Sequence, residues 1–174
     1  MNIPELPHTA ISRRIDPFLA AVGQWLSWVW LLLLLVIVGN VLLRYVFGEG
    51  RIELEEIQWH LYSLGFLLGF SYAFQADAHI RVDVVSERLP QRWRAWLELY
   101  GMLLALLPFI VLMLWYSVPF VLASWQVSEV SQAPGGLPYR WVIKSVLPLG
   151  FSLLLLALIS RLSRVCLFLF GART

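Results

Sequence analysis

Residues 17–43 read PFLAAVGQWLSWVWLLLLLVIVGNVLL and contain no charged side chain. The hydrocarbon core of a bilayer is about 30 Å thick, and a helix needs about 20 apolar residues to cross it. Lipid offers no partner for an unpaired backbone group, so an apolar stretch of this length must be helical. The segment therefore predicts a membrane-spanning helix near the start of the chain.

Three further charge-poor stretches of similar length follow the first one. Together the four stretches predict helices over about 17–44, 57–77, 97–127 and 141–165. The composition agrees, because 60% of the residues are hydrophobic and only 14% are charged, far from the average of soluble domains. The polar segments between the stretches are too short for a separate soluble domain. We expect a single all-α integral membrane domain, residues 1–174, with four tilted transmembrane helices.

The distribution of positive charge predicts the orientation of the chain. If the N-terminus faces the cytoplasm, nine of the thirteen Lys and Arg residues lie on the inner side, as the positive-inside rule requires. Those nine are Arg13, Arg14, Arg81, Arg88, Arg92, Arg94, Arg161, Arg164 and Arg173. We therefore expect both termini to be cytoplasmic.

The pair Arg13-Arg14 before an apolar run is also typical of an export signal. The run is too long and too rich in leucine for such a signal, and no small-x-small cleavage site precedes Arg44. An uncleaved first span is the better interpretation. Cys166 is the single cysteine, which excludes an intrachain disulfide and a cysteine-based metal site.

Two polar residues lie near the outer end of the first span. Asn40 and Arg44 are four residues apart and share one helix face. They can contact a partner helix, or Glu55 and Glu56 at the start of the second span. An ordinary interface anchor, with the arginine reaching toward the headgroups, fits equally well.

The second span carries small residues at intervals of four, namely Gly65, Gly69 and Ala73. Such a stripe exposes the backbone and lets another helix approach closely, in this chain or in a partner. His60 on the same span is compatible with a haem ligand, but no second histidine lies at a suitable level on a facing span. A satisfied interfacial histidine is therefore favoured.

The inner loop ends in residues 86–97, where apolar and tryptophan side chains recur at helical spacing with arginines between them. This pattern predicts a short amphipathic segment at the inner membrane surface between helices two and three. A plain basic loop explains the arginines but not the tryptophans Trp93 and Trp96.

The outer loops combine charge with a turn that cannot be helical, Pro134-Gly135-Gly136-Leu137-Pro138. A loop of defined conformation suits docking of another protein, although a simple tight connection is also compatible. The candidate docking residues are Glu53, Glu55, Glu56, Gly135, Gly136, Arg140 and Lys144.

The motifs that carry catalysis or solute binding are missing from the sequence. We find no isolated charge in the middle of a span, no nucleotide-binding loop, no metal-ligand cluster and no nucleophile with a base. These observations make an enzyme or an independent transporter a poor fit. They favour an accessory or scaffold subunit.

Five segments resemble a known family: 40–48, 55–61, 69–73, 79–83 and 134–144. In their order and their placement on four spans they resemble the DctQ-like small membrane subunit of tripartite ATP-independent periplasmic (TRAP) transporters. The resemblance covers nearly the whole chain.

The resemblance implies a complex in a bacterial or archaeal inner membrane. A periplasmic binding protein would capture a solute such as an organic acid, and a large membrane subunit would import it with sodium. The small subunit would pack beside the large one, about one to one, and would help to dock the binding protein. It implies membrane lipids as neighbours, no nucleic acid, and no cofactor in this chain, with the sodium sites on the large subunit.

Within this scheme we assign Gly65, Gly69 and Ala73 to helix packing. Subunit anchoring falls to Asn40, Arg44, His79, Arg81 and Asp83. Two other classes of protein remain open, a membrane anchor subunit of a redox enzyme and a small homo-oligomeric carrier. The sequence does not identify the solute.

Overall fold

The computed structural model describes residues 6–77 and 89–171. Within these two ranges the chain forms four helices: α1 (Ser12–Val46), α2 (Ile52–Gln75), α3 (Gln91–Gln126) and α4 (Arg140–Phe170). The prediction of an all-helical chain is therefore confirmed. Helices α1, α3 and α4 are each long and apolar enough to cross a membrane, so the protein is a multi-pass membrane protein.

Helix α2 is less apolar than the other three. Its 24 residues are long enough to cross a bilayer. Its first half, however, contains Glu53, Glu55, Glu56, Gln58 and His60, which lower the mean hydropathy. The fourth span stays a prediction.

All four helices begin before the apolar stretches that predict them, and α1 and α4 also end after them. Helix α1 begins at Ser12, where a reciprocal cap forms: the backbone N–H of Ser12 donates to Thr9 Oγ1 at 3.0 Å, and that of Thr9 donates to Ser12 Oγ at 2.9 Å. The cap satisfies backbone groups that have no partner within the helix. Polar residues thus lengthen the helix beyond its apolar part, which is the only part that must be helical in lipid.

Helix α3 runs without interruption from Gln91 to Gln126 and contains one widened turn. The turn is a π-helical segment, Met102–Leu106, in which the N–H of Leu107 bonds to the carbonyl of Met102. Pro108 follows immediately, and a proline has no N–H to donate and crowds the carbonyl four residues earlier. A π turn at this point relieves that crowding.

The predicted amphipathic segment, 86–97, is only partly described, since 86–88 lie outside the described residues. From Gln91 onward it forms the first turns of α3 and is continuous with that helix. Its location at the membrane surface stays a prediction.

Helix α4 lies at the centre and packs against each of the other three helices. Leu19, Ile110, Leu158 and Val165 are almost fully enclosed in the resulting core. At the contact between α2 and α4, a Cβ atom on Gly150 would lie 2.9 Å from the carbonyl oxygen of Leu67. The absence of a side chain at Gly150 therefore allows the two backbones to approach closely.

Candidate functional site

Charged side chains gather at the two ends of the helices. We call the end where α1 ends and α4 begins the glutamate end, after Glu53, Glu55, Glu56 and Glu129. The opposite end is the arginine end, after Arg161 and Arg164. The predicted docking residues all belong to the glutamate end.

Glu56 holds the loop between α3 and α4 at the glutamate end. Its carboxylate accepts a hydrogen bond from the N–H of Leu137 at 2.7 Å and another from the hydroxyl of Ser131. The loop is also closed on itself, because the N–H of Ser131 donates to the carbonyl of Leu137 at 3.1 Å. A left-handed backbone at Gly135 completes the turn, a conformation that glycine adopts without strain. The loop is thus fixed to α2.

Glu129 ties the same loop to the start of α4. The ammonium group of Lys144 donates to the Glu129 carboxylate, and Arg140 lies 3.9 Å from it. The hydrogen bond from Lys144 is the main cause that lowers the pKa of Glu129. Lys144 also lies 4.2 Å from the ring centre of Phe120, a cation–π contact with α3. The Lys144 side chain is only 17% exposed, so it points into the protein and supports the loop.

The remaining docking candidates are more accessible. Glu53 is exposed, and a Cβ atom on Gly135 would lie 3.7 Å from its carboxylate. Arg140 keeps 41% of its side chain exposed, while Gly136 is partly covered by Ser131. The structure therefore brings the predicted docking residues together at one end of the molecule.

Arg44 at the end of α1 forms an ion pair with Glu55 at the start of α2. Of the partners considered for Arg44, the structure thus shows Glu55, whereas Glu56 holds the loop between α3 and α4. Asn40, one turn earlier, is 7% exposed and thus enclosed within the chain. His79, Arg81 and Asp83 lie outside the described residues.

The small residues of α2 face an open groove of about 370 Å³ between α1 and α2. A Cβ atom on Gly65 would lie 3.0 Å from the ring of Trp30, so this glycine packs against α1. Gly69 has no atom within 4 Å of such a Cβ, and Ala73 lines the same groove. At Gly65 the stripe therefore packs against α1 of the same chain, whereas at Gly69 it leaves open space.

The arginine end contains an ionic cluster that sequence reasoning missed. Arg161 Nε donates to Glu98 Oε1 of α3 at 2.5 Å, and Arg161 also lies 3.4 Å from the carboxylate of Asp77, which follows α2. Arg164 contacts Asp16 of α1 at 3.8 Å. Two arginines of α4 thus connect to all three other helices.

A signal for this cluster exists in the sequence. Arg161 and Arg164 are three residues apart on one helix face, and each other helix has a carboxylate at or just beyond the same end, Asp16, Asp77 and Glu98. Charges near a membrane-spanning segment are expected to pair.

His60 makes a contact within its own helix, where Nδ1 lies 2.5 Å from the carbonyl oxygen of Glu56. Among residues 6–77 and 89–171, no group of three or more His, Cys, Asp or Glu side chains is arranged to hold a metal ion.

A family model matches most of the chain. The family model described as "Tripartite ATP-independent periplasmic transporters, DctQ component" matches residues 33–167. This range includes α1 from Leu33 onward, all of α2 and α3, and α4 as far as Leu167. No curated protein matches the chain. Since the matched range covers most of the 174 residues, the chain belongs to the family of DctQ components of tripartite ATP-independent periplasmic transporters.

Proposed function

We propose that this chain is the stationary scaffold subunit of a sodium-coupled, binding-protein-dependent TRAP transporter that imports an organic acid or a similar small solute. The observation that carries the proposal is the family membership over residues 33–167. In this proposal the chain is not an enzyme and holds no cofactor. The solute and sodium sites belong to the large membrane subunit.

The contacts within the chain support a rigid role. The α4 arginines link the other three helices at the arginine end, and Glu56 and Glu129 fix the loop at the glutamate end. A transport domain that moves through the bilayer needs a partner that does not move with it. Four helices tied at both ends provide such a partner.

The groove beside Gly69 supports the proposal that the large subunit packs against this part of the chain. A helix that lies against small residues can approach the backbone closely, which is how membrane helices associate without a hydrophobic driving force. We propose that Gly69 and Ala73 face the large subunit, about one to one, with membrane lipids around the rest. Subunit anchoring by Arg44, His79, Arg81 and Asp83 is part of the same proposal, whereas Asn40 is enclosed within the chain.

The structure of the glutamate end supports the proposal that the periplasmic binding protein docks there. Its loop is held in one conformation, so a partner that binds it does not have to order it first. We propose that Glu53, Glu55, Gly135, Gly136 and Arg140 contribute to the docking surface. Glu56 and Lys144 contribute indirectly, since both hold the loop from inside.

Docking at this end fixes the proposed orientation. The glutamate end faces the periplasm, the arginine end faces the cytoplasm, and both termini are cytoplasmic. Helix α2 is then the fourth span. The membrane is the inner membrane of a bacterium or archaeon.

Reconstitution tests the proposal directly. The chain is placed in proteoliposomes alone, with the large membrane subunit of the same organism, or with that subunit and its binding protein. A sodium gradient is applied, and uptake of labelled dicarboxylates, keto acids, sialic acid and compatible solutes is measured. We expect uptake only with all three components.

Two results contradict the proposal. Uptake by the chain alone identifies a self-sufficient carrier, and a haem absorption band on purification from native membranes identifies a redox anchor.

The variant Arg81→Ala/Asp83→Ala tests subunit anchoring. Copurification with the large subunit measures assembly of the complex. Unchanged copurification and uptake by this variant remove both residues from the anchoring set.

A further inference from the structure

Two buried amide atoms, one on α1 and one on α2, have no hydrogen-bond partner in the described chain. They are Oδ1 of Asn40, an acceptor, and Nε2 of Gln58, a donor. Buried polar groups in native proteins are almost always hydrogen-bonded, because an unpaired group loses its contacts with water and gains nothing in return. We therefore expect each of these two atoms to have a hydrogen-bond partner in the native protein.

The known contacts of the seam between α1 and α2 place the two residues at the same level. Arg44 pairs with Glu55 near the glutamate end, and the ring of Trp30 lies against Gly65 deeper in the seam. The two helices run antiparallel between these contacts. Counting along both helices between these two contacts places Asn40, four residues before Arg44, at the level of position 58 on α2.

The helix faces agree with this placement. Gln58 comes three residues after Glu55 and seven before Gly65, so it lies on the face of α2 that both contacts show to be turned toward α1. Asn40 is four residues before Arg44 and shares its face of α1. The acceptor and the donor are thus on facing surfaces at one level.

We propose that Asn40 Oδ1 accepts a hydrogen bond from Gln58 Nε2 across the seam and that this contact fixes the register of α1 against α2. The two groups are complementary, and both side chains turn about single bonds that allow them to meet. Side-chain amides are known to hydrogen-bond across membrane helices. A polar contact in an apolar seam specifies register, because a shift by one turn leaves both groups unpaired.

The contact has a consequence at the glutamate end. Gln58 follows Glu55 and Glu56 by less than one turn, and these two glutamates hold Arg44 and the α3–α4 loop. A fixed register keeps both glutamates opposite their partners. The inference concerns contacts inside this chain and does not depend on the proposed transport function.

A double-substitution cycle on the purified full chain in detergent tests the proposal. Asn40→Leu and Gln58→Leu, each alone, leave one amide unpaired, so we expect each to lower the melting temperature. The combined variant removes both amides, and we expect it to melt above either single variant. The control is Gln126→Leu, an exposed amide at the end of α3, whose effect should simply add to that of Asn40→Leu.

If the leucine variants do not fold, the exchanged variant Asn40→Gln/Gln58→Asn still tests the proposed hydrogen bond. It preserves the donor, the acceptor and the combined side-chain length, so we expect it to melt above both Asn40→Gln and Gln58→Asn. Strictly additive shifts in both cycles overturn the proposal. Single variants that melt like the native chain overturn it as well.

Discussion

Arg161 of α4 and Glu98 of α3 are joined by a hydrogen bond of 2.5 Å, and both side chains are largely covered, with 12% and 21% of their surfaces exposed. The same arginine reaches Asp77 at 3.4 Å. A charge in such a place depends on its partners, because removing Arg161 takes an ion pair from two carboxylates that are largely shielded from water.

Replacing Arg161 should therefore destabilise the protein strongly. We expect Arg161→Met to lower the free energy of unfolding by about 2–4 kcal/mol, since it leaves Glu98 and Asp77 without their common partner. Thermal unfolding in detergent measures the change. Arg92→Met is the matched control, because Arg92 is exposed at the start of α3 and should shift the melting temperature little. Equal effects of the two variants contradict this role of the cluster.

The two glycines Gly150 and Gly69 should respond differently to the same substitution. A Cβ at Gly150 meets the Leu67 carbonyl at 2.9 Å, whereas one at Gly69 meets nothing. We expect Gly150→Ala to cost about 1–3 kcal/mol of unfolding free energy, the range for overpacking, and Gly69→Ala to cost nothing measurable. Unfolding of the isolated chain gives the comparison. A loss at Gly69 as large as that at Gly150 contradicts the geometry.

Gly69 should instead matter in the assembled complex. We expect Gly69→Leu to fill part of the groove, to leave the melting temperature of the isolated chain unchanged and to reduce copurification with the large subunit severalfold. Gly39→Leu is the control, because Gly39 also has open space around it but lies outside the α1–α2 groove. Normal copurification of the Gly69 variant excludes this groove from the subunit contact.

The sequence predicts the parts of this structure that depend on local composition. Long apolar stretches require helices, and the sequence makes an ion pair of Arg44 with Glu55 one of several open possibilities, which the structure shows to form. The pairing of Arg161 with Glu98 depends on which faces of α3 and α4 meet, and no local pattern encodes that. For the same reason the small-residue stripe of α2 does not reveal that the backbones of α2 and α4 approach closely at Gly150.

The loop at the glutamate end should loosen in acid. The pKa of Glu129 is lowered chiefly by the hydrogen bond from Lys144, so its contribution to stability is complete above its ordinary pKa and is lost as the pH falls through the lowered value. The protection of amides in residues 128–139, taken as the hydrogen-exchange rate relative to the intrinsic rate at each pH, measures this effect between pH 6 and pH 3. We expect Glu129→Gln to be less protected at pH 6 and to lose less further protection in acid. A native-like pH response of that variant contradicts the assignment to Glu129.

Docking of the binding protein should depend on the exposed charges of the glutamate end and on the fixed loop, in separable ways. Arg140→Glu reverses an accessible charge, so we expect it to raise the concentration of binding protein needed for half-maximal uptake while assembly with the large subunit stays normal. Glu56→Ala leaves that charge in place but removes both hydrogen bonds that hold the loop, so its effect on uptake should accompany faster hydrogen exchange in residues 128–139. Glu49→Ala, at an exposed glutamate that does not contact the loop in the described chain, serves as the control. If Arg140→Glu transports normally at limiting binding protein, the docking surface lies elsewhere.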